Sequence, residues 1–359
     1  MDYEGFPYII GWELTLACNL RCAHCGSSAG EVRQRELMLS EALHICDQLP
    51  DLLVQEVDFT GGEPLLCMNL APISARLRKL GIPFKLLTNG DLLTPELVQR
   101  LCDAGLSGLG ISLDGLPHTH DRIRGKKGLF NHVRSQIEEI HKANIPLTII
   151  TTGNSLNIDE LPALMAIMIE EGVRFWQIQP IFPLGRGSGN DWLRLSDRDY
   201  LRMGDFIAQS ADQAVEQGLE IMPADSCGYF TSLDTRDPDW RGCPAGMFAC
   251  GITSDGHIKG CLSMPDAITE GCLREGQLWD VWFDEHAFAY NRHFNNEHLG
   301  NNCSACWFGE RCRVGCSAMS YGCTGGFHND PLCYHRVETR QALSPAGSMQ
   351  HAHTRKNVL

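Results

Sequence analysis

Between residues 11 and 217 one pattern recurs: a short apolar run, a polar or glycine-rich stop, then a longer amphipathic segment. Each run suits one strand and each amphipathic segment one helix, so the repeat calls for parallel strands joined by helical crossovers. Strands are predicted at 12–16, 57–60, 84–88, 109–113, 147–151 and 175–179. Two of the helices are predicted at 40–49, with Ser40 as N-cap, and 95–104, with Thr94 as N-cap and Pro95 in the first turn. Six such units make an α/β fold of the partial (β/α)6, TIM-like type, with too few strands to close.

In β/α barrels the loops that follow the strands form a single catalytic face. Here those loops hold 17–25 after the first strand, Gly61, Gly62, Glu63 and Pro64 after the second, and Asn89 and Gly90 after the third. Asp114 and Gly115 follow the fourth, and Thr152, Gly153 and Asn154 the fifth. Any one glycine serves turn geometry alone; five polar motifs at one mouth mark a site. Beyond about residue 220 the helical periodicity gives way to short strands, turns and dense cysteine. The expected organisation is a barrel over 1–217, a cysteine-rich domain over 218–343 and a flexible tail over 344–359.

The chain has 17 cysteines in 359 residues. Its N-terminus, Met1, Asp2, Tyr3 and Glu4, lacks the basic start of a signal peptide, and the longest apolar runs, such as 145–151, are too short to span a bilayer. The expectation is a cytoplasmic protein with no membrane contact, where thiols stay reduced and clustered cysteines bind metal. A formal charge of −14 disfavours nucleic acid as a partner and favours a basic one.

Cys18, Cys22 and Cys25 form C-x3-C-x2-C on a loop after a strand. Three thiolates can hold three irons of a cubane cluster and leave the fourth open to a cosubstrate, whereas an electron-transfer cluster takes four. The competing reading is a zinc site recruiting His24, but His24 and Cys25 are adjacent and poorly spaced to ligate one ion. CNLRCAHC followed by TGGEPLL, LLTNG and ISLDG resembles the radical S-adenosylmethionine (SAM) superfamily. That resemblance implies a four-iron–four-sulfur cluster on the three cysteines, with its open iron chelating SAM. It further implies that Gly61, Gly62, Glu63 and Pro64 receive the SAM amino group. Ser112 and Asp114 match the ribose and carboxylate positions, Thr88, Asn89, Thr152 and Asn154 are further contacts, and His24 lies at the adenine position. One-electron cleavage of SAM would then leave methionine and a 5′-deoxyadenosyl radical. Arg124, in the stretch after the fourth strand, either pairs with a SAM or substrate carboxylate or is a solvated surface residue.

The C-terminal cysteines Cys303, Cys306, Cys312 and Cys316 read C-x2-C-x5-C-x3-C, preceded by Cys243 and Cys261 and followed by Cys333. This pattern resembles the SPASM domain. The resemblance implies an inner auxiliary cluster on Cys243, Cys261 and Cys316, an outer one on Cys303, Cys306, Cys312 and Cys333, and three [4Fe-4S] clusters in all. Cys250 either completes the inner cluster or packs as a strand residue. Cys227 lies between Asp225 and Tyr229 at the junction of the two domains, where either neighbour is a candidate proton acceptor; a structural turn is the competing reading.

Auxiliary clusters in this family accompany oxidation or bond formation after hydrogen abstraction. The functional expectation is therefore a peptide-modifying oxidoreductase that crosslinks a ribosomally made peptide. The alternative is a dehydrogenase or epimerase acting on a sugar or amino-alcohol. An aspartate that sulfatase-maturing members carry directly after the Cys261 position is replaced by Leu262. The expected partners are a peptide substrate and an external electron donor such as flavodoxin or ferredoxin. Because only 17 residues precede Cys18, a separate leader-binding protein is expected if the substrate is recognised through a leader.

Overall fold

The computed structural model describes residues 5–225, 242–313 and 315–342. A ten-stranded sheet runs through it: β1 (Ile9–Thr15), β2 (Glu56–Gly61), β3 (Phe84–Thr88), β4 (Leu106–Ser112), β5 (Leu147–Gly153), β6 (Phe175–Pro180), β7 (Glu220–Pro223), β8 (Ala249–Ile252), β9 (His257–Lys259) and β10 (Gly271–Cys272). The strand order is β10-β9-β8-β1-β2-β3-β4-β5-β6-β7. All six predicted strands are present, side by side and parallel.

The sheet is longer than the sequence suggested. β7 pairs parallel to β6, and β8 pairs parallel to β1 before turning into an antiparallel meander with β9 and β10. Both additional parallel strands have four residues, too few to display an alternation by themselves.

The first six helices of the crossovers are α1 (Leu39–Gln48), α2 (Leu70–Leu80), α3 (Pro95–Asp103), α4 (Pro117–Arg124), α5 (Leu129–Lys142) and α6 (Leu161–Glu170). A short α7 (Gly185–Ser188) follows β6, and α8 (Asp197–Glu216) leads to β7. Thr94 caps α3 as expected, its Oγ1 accepting from Leu97 N at 3.2 Å. Ser40 does not cap α1. That helix starts one residue earlier, and Glu41 reaches back to accept from Met38 N at 2.7 Å. A glutamate three positions into the helix does the work expected of a serine at the cap.

Strand alternation sorts side chains between two environments. Trp12, Phe59, Leu86, Ile111, Ile149 and Ile178 are buried in the main hydrophobic core, with Trp12 and Phe59 at 6.1 Å between ring centres and Phe59 and Phe84 at 5.4 Å. Residues of opposite parity turn toward the cavity described below. At the other end of the chain, the helix Tyr334–Ala342 docks on α8. The Tyr334 ring lies against Gly204, Tyr334 Oη donates to Leu201 O at 3.3 Å, and Arg340 pairs with Asp197 at 2.9 Å. No helix among the described residues is long and apolar enough to cross a membrane.

Candidate active site

A cavity of about 470 Å³ opens at the C-terminal ends of the strands. Each of the first six strands contributes a side chain to its wall: Glu13, Thr60, Leu87, Ser112, Thr152 and Gln179. Cys18, Cys22 and Cys25 border the same cavity, together with His24, Gly61, Gly62, Thr88, Asn89 and Arg124.

Backbone contacts hold the cysteine loop in place. Cys18 N donates to Gly30 O at 3.1 Å, and Ala23 N to Ile123 O at 2.9 Å. The glycine pair after β2 is tied to the start of the same loop: Gly62 N donates to Thr15 O and Glu63 N to Ala17 O, both at 2.8 Å. Gly61 has φ of 146°, and a Cβ on Gly62 would collide with the Ala17 carbonyl oxygen. Glycine is needed at both positions because one backbone lies directly on another. From the far side, Arg186 of α7 donates from Nε to Cys22 O and from Nη1 to Ala29 O, both at 2.8 Å, and Asn190 Nδ2 donates to Ala23 O at 2.7 Å. Sequence reasoning missed Arg186 and Asn190; their only signal was a glycine-rich segment after the sixth strand.

Behind the wall lies a buried charge network. Asp114 Oδ2 accepts from Arg124 Nε at 2.6 Å and lies 3.1 Å from His24 Nε2, while Oδ1 accepts from Thr152 N at 2.9 Å. Burial alone would raise the Asp114 carboxyl, but Arg124 and His24 overturn that and hold it well below the usual range. Arg124 Nη1 also approaches Cys22 Sγ at 3.8 Å. Burial pushes the Cys22 thiol up while Arg124 opposes it. Cys18 is likewise raised by burial, with Leu20 N pulling the other way. Arg124 is therefore buried, not a solvated surface residue.

Several expected SAM contacts stand behind the wall rather than on it. Glu63 is fully buried; its carboxylate accepts from Thr88 Oγ1 at 2.8 Å, Asn89 N at 2.9 Å and Leu65 N at 3.1 Å. Burial raises this carboxyl, and the three donors offset that only in part. Asn154 is committed to its own turn, with Nδ2 donating to Thr152 O at 2.9 Å and Oδ1 accepting from Leu156 N at 3.1 Å. Glu63, Pro64, Asp114 and Asn154 do not line the cavity. Glu63 braces Thr88 and Asn89, and Asp114 and Asn154 brace Thr152; Thr88, Asn89 and Thr152 do line it.

The opposite wall comes from the C-terminal part of the chain: Lys259, Leu262, Ser263, Met264, Pro265 and Asp266. Arg33 joins this wall to β1, donating to Glu13 at 2.6 and 3.1 Å and to Asp266 at 2.7 and 3.3 Å. Lys259 Nζ is held by Met264 O at 2.9 Å and Asp266 at 2.5 Å. None of these charges was singled out from the sequence, because Glu13 and Asp266 are brought together only by the pairing of β8 with β1.

The C-terminal cysteines separate into groups. Cys316 Sγ caps the helix Ser317–Thr324, accepting from Met319 N at 3.5 Å. Burial raises its thiol well above normal, followed by Asp225, Cys243 and Cys261. Burial pushes Cys261 up to about 11, with Cys243 and Asp225 adding to it. Cys303 is pushed up to about 11 by burial, with Asp330 and Cys306 adding, and Cys333 is raised by burial, Asp330 and Cys312. Cys250 is on β8 with its side chain in the main core. Cys316 Sγ is 3.8 Å from Asp225 Oδ1, and Asp225 does not line the cavity. Tyr229 and Cys227 lie outside the described residues, as do 344–359.

The donor set suits iron–sulfur chemistry. The cysteines among the described residues are free thiols, and no three Cys, His, Asp or Glu side chains there gather about one point as a single ion requires. The Cys18, Cys22 and Cys25 thiols border one shared space, as a cubane with separate irons needs. The buried polar atoms without a hydrogen-bond partner include His24 Nδ1 at the cavity, and Tyr290 Oη beside Cys243, Cys250 and Cys261.

A partial parallel barrel with three loop thiols over its mouth defines a radical SAM protein, and residues 12–167 match the Radical SAM superfamily. The chain belongs to that superfamily, and membership brings with it S-adenosylmethionine and a four-iron–four-sulfur cluster. It is 31% identical to AdoMet-dependent heme synthase of Methanosarcina barkeri over 353 residues, spanning 92% of this chain and 97% of that one. It is 28% identical to mycofactocin maturase MftC of Mycolicibacterium smegmatis over 325 residues, 88% of this chain and 79% of the relative. Its fold matches Streptococcus suis SuiB bound to precursor peptide SuiA with a TM-score of 0.74 at 18% identity, covering 92% of this chain and 76% of SuiB.

Proposed function

We propose that this enzyme oxidises a C–H bond of a substrate held between its two cysteine-bearing walls, with an auxiliary cluster on the C-terminal cysteines as electron acceptor. The observation that carries this reading is the continuity of the cavity. Cys18, Cys22 and Cys25 border it on one side, and the residues directly after Cys261 border it on the other. When bound, SAM and its cluster supply a 5′-deoxyadenosyl radical that removes one hydrogen atom. Loss of one further electron and a proton from the substrate would complete a two-electron oxidation.

In this reading Cys18, Cys22 and Cys25 hold the first cluster. Gly61, Gly62, Thr88, Asn89, Ser112, Thr152 and His24 border SAM. Cys243, Cys261 and Cys316 hold the inner auxiliary cluster, and Cys303, Cys306, Cys312 and Cys333 the outer one. An external flavodoxin or ferredoxin supplies the electron that starts each turnover. Glu63 and Asp114 act by holding the loops from behind.

The substrate we favour is a ribosomally made peptide. Its support is the similarity to a mycofactocin maturase and a fold shared with a peptide-bound enzyme. An iron tetrapyrrole is the second reading, favoured by 31% identity along nearly the full length of a heme synthase. One experiment separates them. Reconstituted enzyme, SAM and dithionite are incubated in parallel with short peptides encoded beside the gene and with iron coproporphyrin III, and products are read by mass spectrometry. Loss of two hydrogens from a peptide, with a crosslink in its fragments, is the expected outcome. Turnover of the tetrapyrrole alone would replace the peptide reading, and turnover of only a sugar or amino-alcohol would replace both. Anaerobically reconstituted protein is expected to hold about twelve irons, four per cluster; about four would remove the auxiliary clusters from the scheme.

A further inference from the structure

We propose that Asp225 supplies a carboxylate ligand to the inner auxiliary cluster, completing the set of Cys243, Cys261 and Cys316 in place of Cys250. The inference rests on the two-auxiliary-cluster reading above and deepens it. Its starting point is the neighbourhood of Cys316, whose sulfur lies 3.8 Å from Asp225 Oδ1. Asp225 holds φ of 55°, a left-handed conformation that aspartate tolerates better than most residues.

Cys243 is tied to the same place through Asn291. Its Nδ2 donates to Cys243 O at 3.3 Å and Ala245 O at 2.7 Å, while its Oδ1 accepts from Ser317 Oγ at 3.3 Å, next to Cys316. Cys261 packs with Cys316, Met264 and Met319 in a small hydrophobic cluster separate from the main core. Cys250 is in the main core instead, paired with Ile10 across the sheet and packed with Ile252, Trp282 and Phe288. Tyr290, whose hydroxyl is buried without a partner, lies between the two environments and offers a hydrogen bond to a cluster sulfide.

A carboxylate removed from water needs a counter-charge, and the open iron of a cubane whose other three irons are held by the thiolates would provide one. Ligation requires only that the carboxyl lose its proton; no electron moves and no bond to carbon changes. Oxygen is a harder donor than thiolate, so the cluster should be spectroscopically distinct from the outer one.

The test uses the full chain in a background with Cys18, Cys22 and Cys25 replaced by alanine, so that reduced samples report only auxiliary clusters. Asp225→Ala and Asp225→Cys are compared with Cys250→Ala and Cys227→Ala by iron content, electron paramagnetic resonance and potentiometric titration. The proposal expects both Asp225 variants to change the g-values and midpoint of one auxiliary signal, with Asp225→Cys keeping full iron content. Cys250→Ala and Cys227→Ala should leave that signal unchanged. Unchanged spectra in both Asp225 variants, or a changed signal in Cys250→Ala or Cys227→Ala alone, would overturn it. Absence of any auxiliary signal in the parent background is a different failure, that of the two-cluster reading itself.

Discussion

The Arg124 guanidinium, 2.6 Å from Asp114 and 3.8 Å from the Cys22 sulfur, is a positioning residue with an electrical consequence. A cation beside a cluster ligand favours the more negative, reduced state. Arg124→Met should therefore lower the midpoint of the SAM-binding cluster by at least about 59 mV, a tenfold loss of reduced fraction at fixed poise, whereas Arg124→Lys should largely preserve it. Arg124→Met should also cost stability, because Asp114 would be left buried without its main partner, a change of about 3–5 kcal/mol. Potentiometric titration followed by resonance, with thermal unfolding alongside, separates the two effects. The fully buried His120 accepts from Asp114 N at 3.0 Å through Nδ1, and burial followed by Arg124 lowers its pKa to about 4. The unfolded chain thus binds a proton that the folded one refuses between pH 6.5 and 4. Stability should be intact above pH 6.5 and fall by about 1.4 kcal/mol per pH unit below it. His120→Gln should flatten that slope between pH 7 and 5 in thermal melts; an unchanged slope would assign it to other groups. At this scale the sequence named the loops that border the cavity but not the direction of their side chains. Glu63 and Asp114 turn inward because Thr88, Asn89, Arg124 and His24 meet them there, and no local pattern announces partners that distant.

Helix docking fixes the position of Cys333. Tyr334 follows it directly, and the ring of Tyr334 occupies the space where α8 carries Gly204 instead of a side chain. Gly204→Ala should push the ring out and destabilise the fold by about 1–3 kcal/mol, the usual cost of overpacking. If the C-terminal helix swings away as one body, iron assigned to the outer set should fall as well. Combining Gly204→Ala with Tyr334→Leu should recover part of the loss, a coupling that calorimetry on the four proteins of the cycle measures. The elements themselves were the most legible part of the chain. The six long strands betrayed themselves as short apolar runs between amphipathic segments, and α3 by Thr94 and Pro95. β7 and β8 did not, because four residues carry too little pattern and their pairing depends on neighbours far away in sequence. The cap of α1 was misread because serine and glutamate compete for the same orphan amides.

Across the whole molecule the C-terminal part is built onto β1 rather than appended after β7. Arg33, Glu13, Asp266 and Lys259 add a charge-paired seam at the same junction. A chain ending at residue 225 should expose the edge of β1 that β8 covers, and should aggregate when the intact protein does not; light scattering at equal concentration checks this. A monomeric, stable fragment would show that the seam is dispensable. The pairing of Ile9 with Ala249 also sets an order of events during synthesis. β1 emerges before the other strands, yet its second neighbour is made only after the strands and helices of the barrel. For that interval the nascent chain carries an unprotected template for strand addition, and the final step of folding is a long-range closure that local contacts cannot hasten. The strand bearing the first cysteine loop thus waits longest for its last partner, so cluster insertion into that loop and completion of the sheet compete in time, and a chaperone holding β1 would govern both.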